Sequence, residues 1–235
     1  MRRLIAIGLL LLTLGWAGVS QAAQAVTFGS DASTTPFITD GIADITLSIA
    51  SGNFTCVGFG IQSTALSVTS VTDTGGNTYT LADTDEVAST VEAWMYCGTA
   101  TSSATAITIT MNTNNGNEGH AFAWTVTESA NTVGNTSSGN ANSTSHSSGA
   151  VAITGANSIM VGFTVFGASS SPTIDADYTE NLNRASLTAG YRAVTAGDTM
   201  VNTTGGNRQS ATILTEIKAS AAAASVRGML LGVYP

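Results

Sequence analysis

The chain has 235 residues, of which 43% are hydrophobic and only 9% charged, with a formal net charge of −8. Disordered chains combine low hydrophobicity with high charge, so that class is excluded. A nucleic-acid binder needs clustered Lys and Arg to neutralise phosphates, and from Val26 to Leu182 there is no basic residue.

The N-terminus reads as a secretory leader. Arg2 and Arg3 precede an apolar run from Leu4 to Leu14, followed by small residues up to Ala25. Cleavage is expected after Ala22, with Ala25 as the alternative. The run is about eleven residues, short of the roughly twenty that a spanning helix needs, so no transmembrane segment is expected in the mature chain. Export leaves five basic residues against fifteen acidic ones, a net of −10, in a secreted or extracellular protein. Cys56 and Cys97 both survive processing, and an oxidising destination makes a disulfide between them the expectation.

Beyond the leader, short Val, Ile, Thr and aromatic runs alternate with Gly, Asn, Ser and Asp clusters, and no apolar stripe of helical period is found. In chain order the predicted strands are Ile42–Ala50, Phe54–Ile61, Val68–Val71, Thr78–Ala82, Thr90–Cys97, Ala106–Met111, His120–Glu128, Gly149–Thr154, Ser158–Phe166, Ala185–Val194, Ser210–Glu216 and Arg227–Tyr234. About twelve strands at this spacing predict an all-β, antiparallel β-sandwich, jelly-roll or Ig-like, forming one domain over 26–235. The one helical candidate is a turn or two at Ala219–Ser225. Thr74-Gly75-Gly76-Asn77 and Gly205-Gly206-Asn207 carry hairpin-turn chemistry. Residues 131–148, rich in Ser, Thr, Asn and Gly, predict an exposed polar connection between two halves of one sandwich, with a partly polar edge strand within it as the alternative.

The stretch Ser67-Val68-Thr69-Ser70-Val71-Thr72-Asp73-Thr74-Gly75-Gly76-Asn77-Thr78-Tyr79-Thr80-Leu81 resembles the "VTSVTDSAGNTYT" signature of Ig-like or jelly-roll β-sandwich domains of bacterial secreted proteins and phage structural proteins. The order of strand patterns after it fits the same family over roughly Ile42 to Val233. The resemblance implies a display, adhesion or structural module without catalytic residues to carry over.

Three side-chain groups are candidate sites. In Val91–Cys97, strand alternation puts Glu92, Trp94 and Tyr96 on one face and Val91, Ala93, Met95 and Cys97 on the other. With the second face inside, the first is a carboxylate-and-aromatic platform for stacking on sugars; otherwise Trp94 and Tyr96 are core. Asp83, Asp85 and Glu86 crowd into four residues, which on a loop would supply hard oxygen ligands for Ca²⁺, against the reading of a solvated acidic turn with no cofactor. His120 reads as a strand-edge residue and His146 as solvated, neither placed for a nucleophilic triad. Glu92 and Glu118 are a conceivable carboxylate pair. The expected partners are copies of the chain itself, other surface proteins, or, in the sugar-binding alternative, a polysaccharide.

Overall fold

The computed structural model describes residues 25–30, 42–62, 66–87, 90–112, 119–127, 131–155, 158–168, 170–194 and 196–218. The leader through residue 24, Glu118, the Ala219–Ser225 turn and the Arg227–Tyr234 strand lie outside them. The described residues form thirteen antiparallel strands and no helix: β1 Val26–Ser30, β2 Ile42–Ile49, β3 Phe54–Ile61, β4 Val68–Asp73, β5 Thr80–Val87, β6 Val91–Thr99, β7 Ala104–Met111, β8 Gly119–Val126, β9 Thr132–Ser147, β10 Ser158–Phe166, β11 Thr179–Arg184, β12 Leu187–Val194 and β13 Val201–Lys218. They make three sheets, ordered β1-β8-β3-β6-β5, β11-β12-β10-β13-β9 and β2-β7-β4.

The first of these sheets is the middle layer of the sandwich. Val57, Phe59, Ile61, Trp94 and Ala121 on one of its faces pack with Ile45, Leu47, Ile107 and Ile109 of the small β2-β7-β4 sheet. Phe54, Met95, Phe122 and Trp124 on its other face pack with Val161, Phe163, Leu187 and Ile213 of the large outer sheet. Burial follows from this layering. In β2, an outer strand, buried and exposed residues alternate, whereas every residue of β3 and β8 is buried. Two glycines let the layers close: a Cβ on Gly58 would strike the Phe122 ring, and one on Gly60 would stand 2.9 Å from Val165 and Leu187.

Cys56 and Cys97 are direct cross-strand partners in β3 and β6, with Cα atoms 4.1 Å apart, and they form a disulfide. Closing a loop of 41 residues this way stabilises the fold by about 4 kcal/mol in the chain-entropy model.

The Thr74–Asn77 turn does not close a hairpin. It carries the chain from β4 in the small outer sheet to β5 in the middle sheet, and its polar residues lock that arch. The Asp73 carboxylate accepts from Gly75 N (2.9 Å), Asn77 N (3.0 Å), Asn77 Nδ2 (2.7 Å) and the Tyr79 hydroxyl (2.7 Å). Burial pushes the Asp73 pKa up, and these hydrogen bonds outweigh it and hold the carboxyl below its usual range. Asn77 Oδ1 accepts from Thr101 N (2.8 Å) and Ser102 N (2.9 Å), which ties the arch to the β6–β7 turn. Gly76 takes the left-handed conformation, φ 73°, that the turn requires. In this chain the Thr-Asp-Thr-Gly-Gly-Asn-Thr-Tyr motif is a staple between two turns.

Residues 131–148 are not a loose connection: β9 runs through sixteen of them as the edge strand of the large outer sheet. Nor does Gly205-Gly206-Asn207 end a hairpin, since β13 bulges there, between Thr203 (opposite Ser145) and Arg208 (opposite Ser143). At that bulge the β9–β13 ribbon folds over. Gly139 and Ser147 would be roughly 26 Å apart in a straight strand, yet a Cβ on Gly139 would touch the Ser147 carbonyl. Ser137 Oγ also donates to Ser148 O at 2.7 Å. The folded end covers the outer face of its own sheet, where Val151, Tyr178 and Met200 bury Met160 and Leu214. The expected strand Gly149–Thr154 reduces to a single bridge at Val151.

Candidate functional site

Strand β6 does not present a face to solvent. Val91, Ala93, Met95 and Cys97 pack toward the large outer sheet, while Trp94 packs toward the small one with Tyr96 half-buried against the same cluster. The Trp94 ring stacks on Phe59 with centroids 5.5 Å apart and is 8% exposed. The carbohydrate platform of Glu92, Trp94 and Tyr96 is therefore corrected: the choice between the two faces does not arise in a middle sheet, because both are core.

Glu92 is the chemically unusual member of the strand. It is 7% exposed, its Oε2 lacks a hydrogen-bond partner, and Glu86 of β5 lies directly across the ladder. Burial, reinforced by the Glu86 carboxylate, pushes its pKa up to about 7. A carboxyl whose folded value is raised contributes stability that is complete below its ordinary value of about 4.5 and lost as pH rises through about 7. Glu92→Gln, which holds the neutral form at every pH, is expected to unfold at higher urea than the wild type at pH 8.5, by about 2–3 kcal/mol, and to match it at pH 4.5. Equal curves for the two chains at pH 8.5 would show that the Glu92 carboxylate is stabilised in the fold.

The expected Ca²⁺ ligands are on a strand and not on a loop. In β5, Asp83 and Asp85 sit opposite Met95 and Ala93, while Glu86 sits opposite Glu92 on the other face of the sheet. Alternation thus separates the trio. Asp85 turns inward, where burial raises its pKa against a hydrogen bond from Asn140 Nδ2 (3.3 Å). Among the described residues no three His, Cys, Asp or Glu side chains converge to hold a metal ion. The acidic loop at Asp175 and Asp177 is tied down internally. Arg192 bridges Asp177 (3.2 Å) and Asp198 (3.0 Å), and Asp175 accepts from Val201 N (2.9 Å).

Both histidines are inside the fold. His120 is 4% exposed in β8 and His146 is fully buried, which corrects the reading of His146 as solvated. His146 is where the folded end of the ribbon meets its sheet. Its Nδ1 lies 2.6 Å from Ser210 Oγ, its Nε2 3.0 Å from Thr204 Oγ1, and its ring meets Phe166 edge-on at 5.0 Å. Burial lowers its pKa, so the neutral ring is favoured. A serine beside a histidine suggests an acyl-transfer pair, but here both have no exposed surface. The second ring nitrogen meets a threonine hydroxyl where a triad would place a carboxylate. The pair pins the fold-back of the ribbon.

The most heavily satisfied carboxylate, Glu216 in β13, did not stand out in the sequence. Its Oε1 accepts from Ser158 Oγ (2.6 Å), Thr154 N (2.8 Å) and Gly155 N (3.0 Å), and its Oε2 from Thr154 Oγ1 (2.8 Å) and Asn135 N (3.1 Å). The available signal was a single acid inside the apolar run Ala211–Ile217. No family model, curated protein or solved structure matches the chain.

Proposed function

We propose that this chain is an exported, non-enzymatic structural or display module that acts at a cell, matrix or virion surface by contact with copies of itself or with other surface proteins. The observation that supports this reading most is where the reactive side chains are used. Among the described residues, Asp73, His146, Arg192 and Glu216 are bonded into the scaffold, and Trp94 and Trp124 are packed in its core. What faces outward in β9 is Thr, Ser and Asn, and β2 exposes Thr46 and Ser48 beside Ile42 and Asp44. Such a surface makes hydrogen-bonded contacts with little dependence on charge. The leader pattern, the disulfide and the resemblance of the Ser67–Leu81 stretch agree with export.

The test is expression of the full chain, leader included, in a bacterial host, followed by external protease shaving and fractionation. The expected result is a disulfide-bonded chain beginning at Ala23 or Val26, held on cells or in pelletable material and shaved from outside. Recovery solely as freely diffusing protein, or hydrolysis of a polysaccharide or ester by the purified chain, would overturn the reading.

A further inference from the structure

The β9–β13 ribbon divides into a body and a folded end at one level of its length. β13 pairs with β9 from Arg208 onward and again from Val201 to Thr203, and its bulge stands between the two stretches. Two glycines lie in that bulge. A Cβ on Gly205 would meet nothing within 4 Å, and one on Gly206 would meet only Arg208 Nη1, at 3.7 Å. Unhindered glycines at this place supply a hinge. His146 and Thr204 are on the folded side of it, Ser210 and Phe166 on the body side. His146 joins the two sides, through Nδ1 to Ser210 Oγ and through its ring to Phe166. The hydroxyls fix its tautomer. Thr204 Oγ1 gives its one proton to Gly206 O at 2.8 Å, so it accepts from Nε2–H, and Nδ1 is left to accept from Ser210.

We propose that the folded end, 145–148 with 200–204, is an acid-released flap latched by His146, which swings on the Gly205-Gly206 hinge and uncovers Met160 and Leu214 when the ring takes up a proton. This goes beyond the display reading and does not depend on it. The proton can enter only at Nδ1, the nitrogen that faces the body. There it turns the Ser210 hydroxyl proton away and puts a positive charge where neither His146 nor Ser210 has exposed surface. Among the described residues no counter-charge meets it. The ring's partners are Ser210 and Thr204 of β13 and Phe166 of β10, and its neighbours along β9 are Ser145 and Ser147. The charged groups of the same end are engaged elsewhere: Asp175 with Val201 N (2.9 Å), Arg208 with Asn207 O (2.9 Å) and Asp198 with Arg192 (3.0 Å). Other ties of the flap to the body, Asn202 Nδ2 to Thr164 Oγ1 (2.7 Å) and Ser137 Oγ to Ser148 O (2.7 Å), carry no charge and do not respond to pH. Burial lowers the His146 pKa from its ordinary 6.5, so the closed flap keeps its full stability above 6.5 and loses it as pH falls below that toward the folded value. Glu216, which falls to about 2, still carries its charge there and holds the body.

Hydrogen exchange of the disulfide-bonded chain from about pH 7 to about pH 4, corrected for the intrinsic pH dependence of exchange, tests the latch. In the closed flap the amides of Ser148 and Thr203 donate to Met200 O and Thr173 O. Their protection is expected to fall about tenfold per pH unit below 6.5, the response to one proton, until the folded His146 value is reached. The β10 amides are expected to keep theirs, and NMR of the His146 ring to show it titrating over the same range. His146→Gln offers an Nε2 donor and an Oε1 acceptor without a charge, and is expected to hold the flap closed throughout. Flap protection that ignores pH, or that falls together with β10 in one unfolding, would overturn the inference. So would an equal fall in His146→Gln, which would assign the opening to the Asp175 carboxylate. If that variant does not fold, the wild type decides alone: flap protection lost where the His146 ring does not titrate sinks the latch.

Discussion

Trp94→Ala is expected to lower the free energy of unfolding by on the order of 3–5 kcal/mol, the cost of deleting a large aromatic from a packed interior. The ring lies between the Phe59 ring, 5.5 Å away, and the cluster built by Ile45, Ile107 and Ile109 of the small outer sheet. Truncation to a methyl removes dispersion contacts on both sides and leaves a cavity that two hydrogen-bonded sheets cannot collapse to fill. Tyr96→Ala, on the same face but half-exposed, is expected to cost distinctly less. Urea unfolding followed by far-ultraviolet circular dichroism measures both without relying on the tryptophan signal. A Trp94→Ala chain that keeps its fold and loses less than about 1 kcal/mol would place that ring at the surface and restore the sugar-stacking platform.

The positions of several strands of this fold are legible in the sequence, and the layering is not. Ile42–Ile49 alternates cleanly because its sheet has one wet face, and the expected Phe54–Ile61 and Ser158–Phe166 match β3 and β10 residue for residue. In the middle sheet the same alternation loses its meaning. Both Glu92-Trp94-Tyr96 and Val91-Ala93-Met95 face a covering sheet, so no pattern within β6 says which set is inside. A strand with few apolar residues fails in the opposite way: β9 is held by backbone pairing with β13 and by His146, and its side chains resemble those of a loop. Even β13, found from Ser210 onward, begins nine residues earlier, in the polar Val201–Gln209 segment that folds over the sheet. The acidic trio shows how a sequence cluster disperses, because three carboxylates within four residues of a strand cannot share a face. Glu216 shows the converse, since its partners Asn135, Thr154, Gly155 and Ser158 come from a distant part of the chain.

Glu216 is expected to contribute to the acid limit of the fold. Burial pushes its carboxyl up, but the hydrogen bonds from Ser158, Thr154 and Asn135 prevail and bring its pKa down to about 2. A depressed carboxyl contributes stability that is complete above its ordinary value of about 4.5 and lost as pH falls through about 2. The contribution at neutral pH is about 3 kcal/mol. Glu216→Gln preserves the shape yet turns an amide NH₂ toward groups that already donate, whichever way the amide is set, because both carboxylate oxygens accept from a backbone N–H. The expected loss at pH 7 is on the order of 3 kcal/mol, shrinking as pH approaches 2, where the wild-type carboxyl takes up its own proton. Glu92 acts on the alkaline side and Glu216 on the acid side, where the lowered Asp73 and His146 act with it, so wild-type stability is expected to fall in both directions. Unfolding free energies of the wild type, Glu216→Gln and Glu92→Gln between pH 2 and pH 9 separate the two arms. The glutamine at 216 should make the acid arm shallower, leaving the part that Asp73 and His146 contribute, and the glutamine at 92 should act on the alkaline arm; a Glu216→Gln chain as stable as the wild type at pH 7 would mean that the five donors do not depend on the charge they surround.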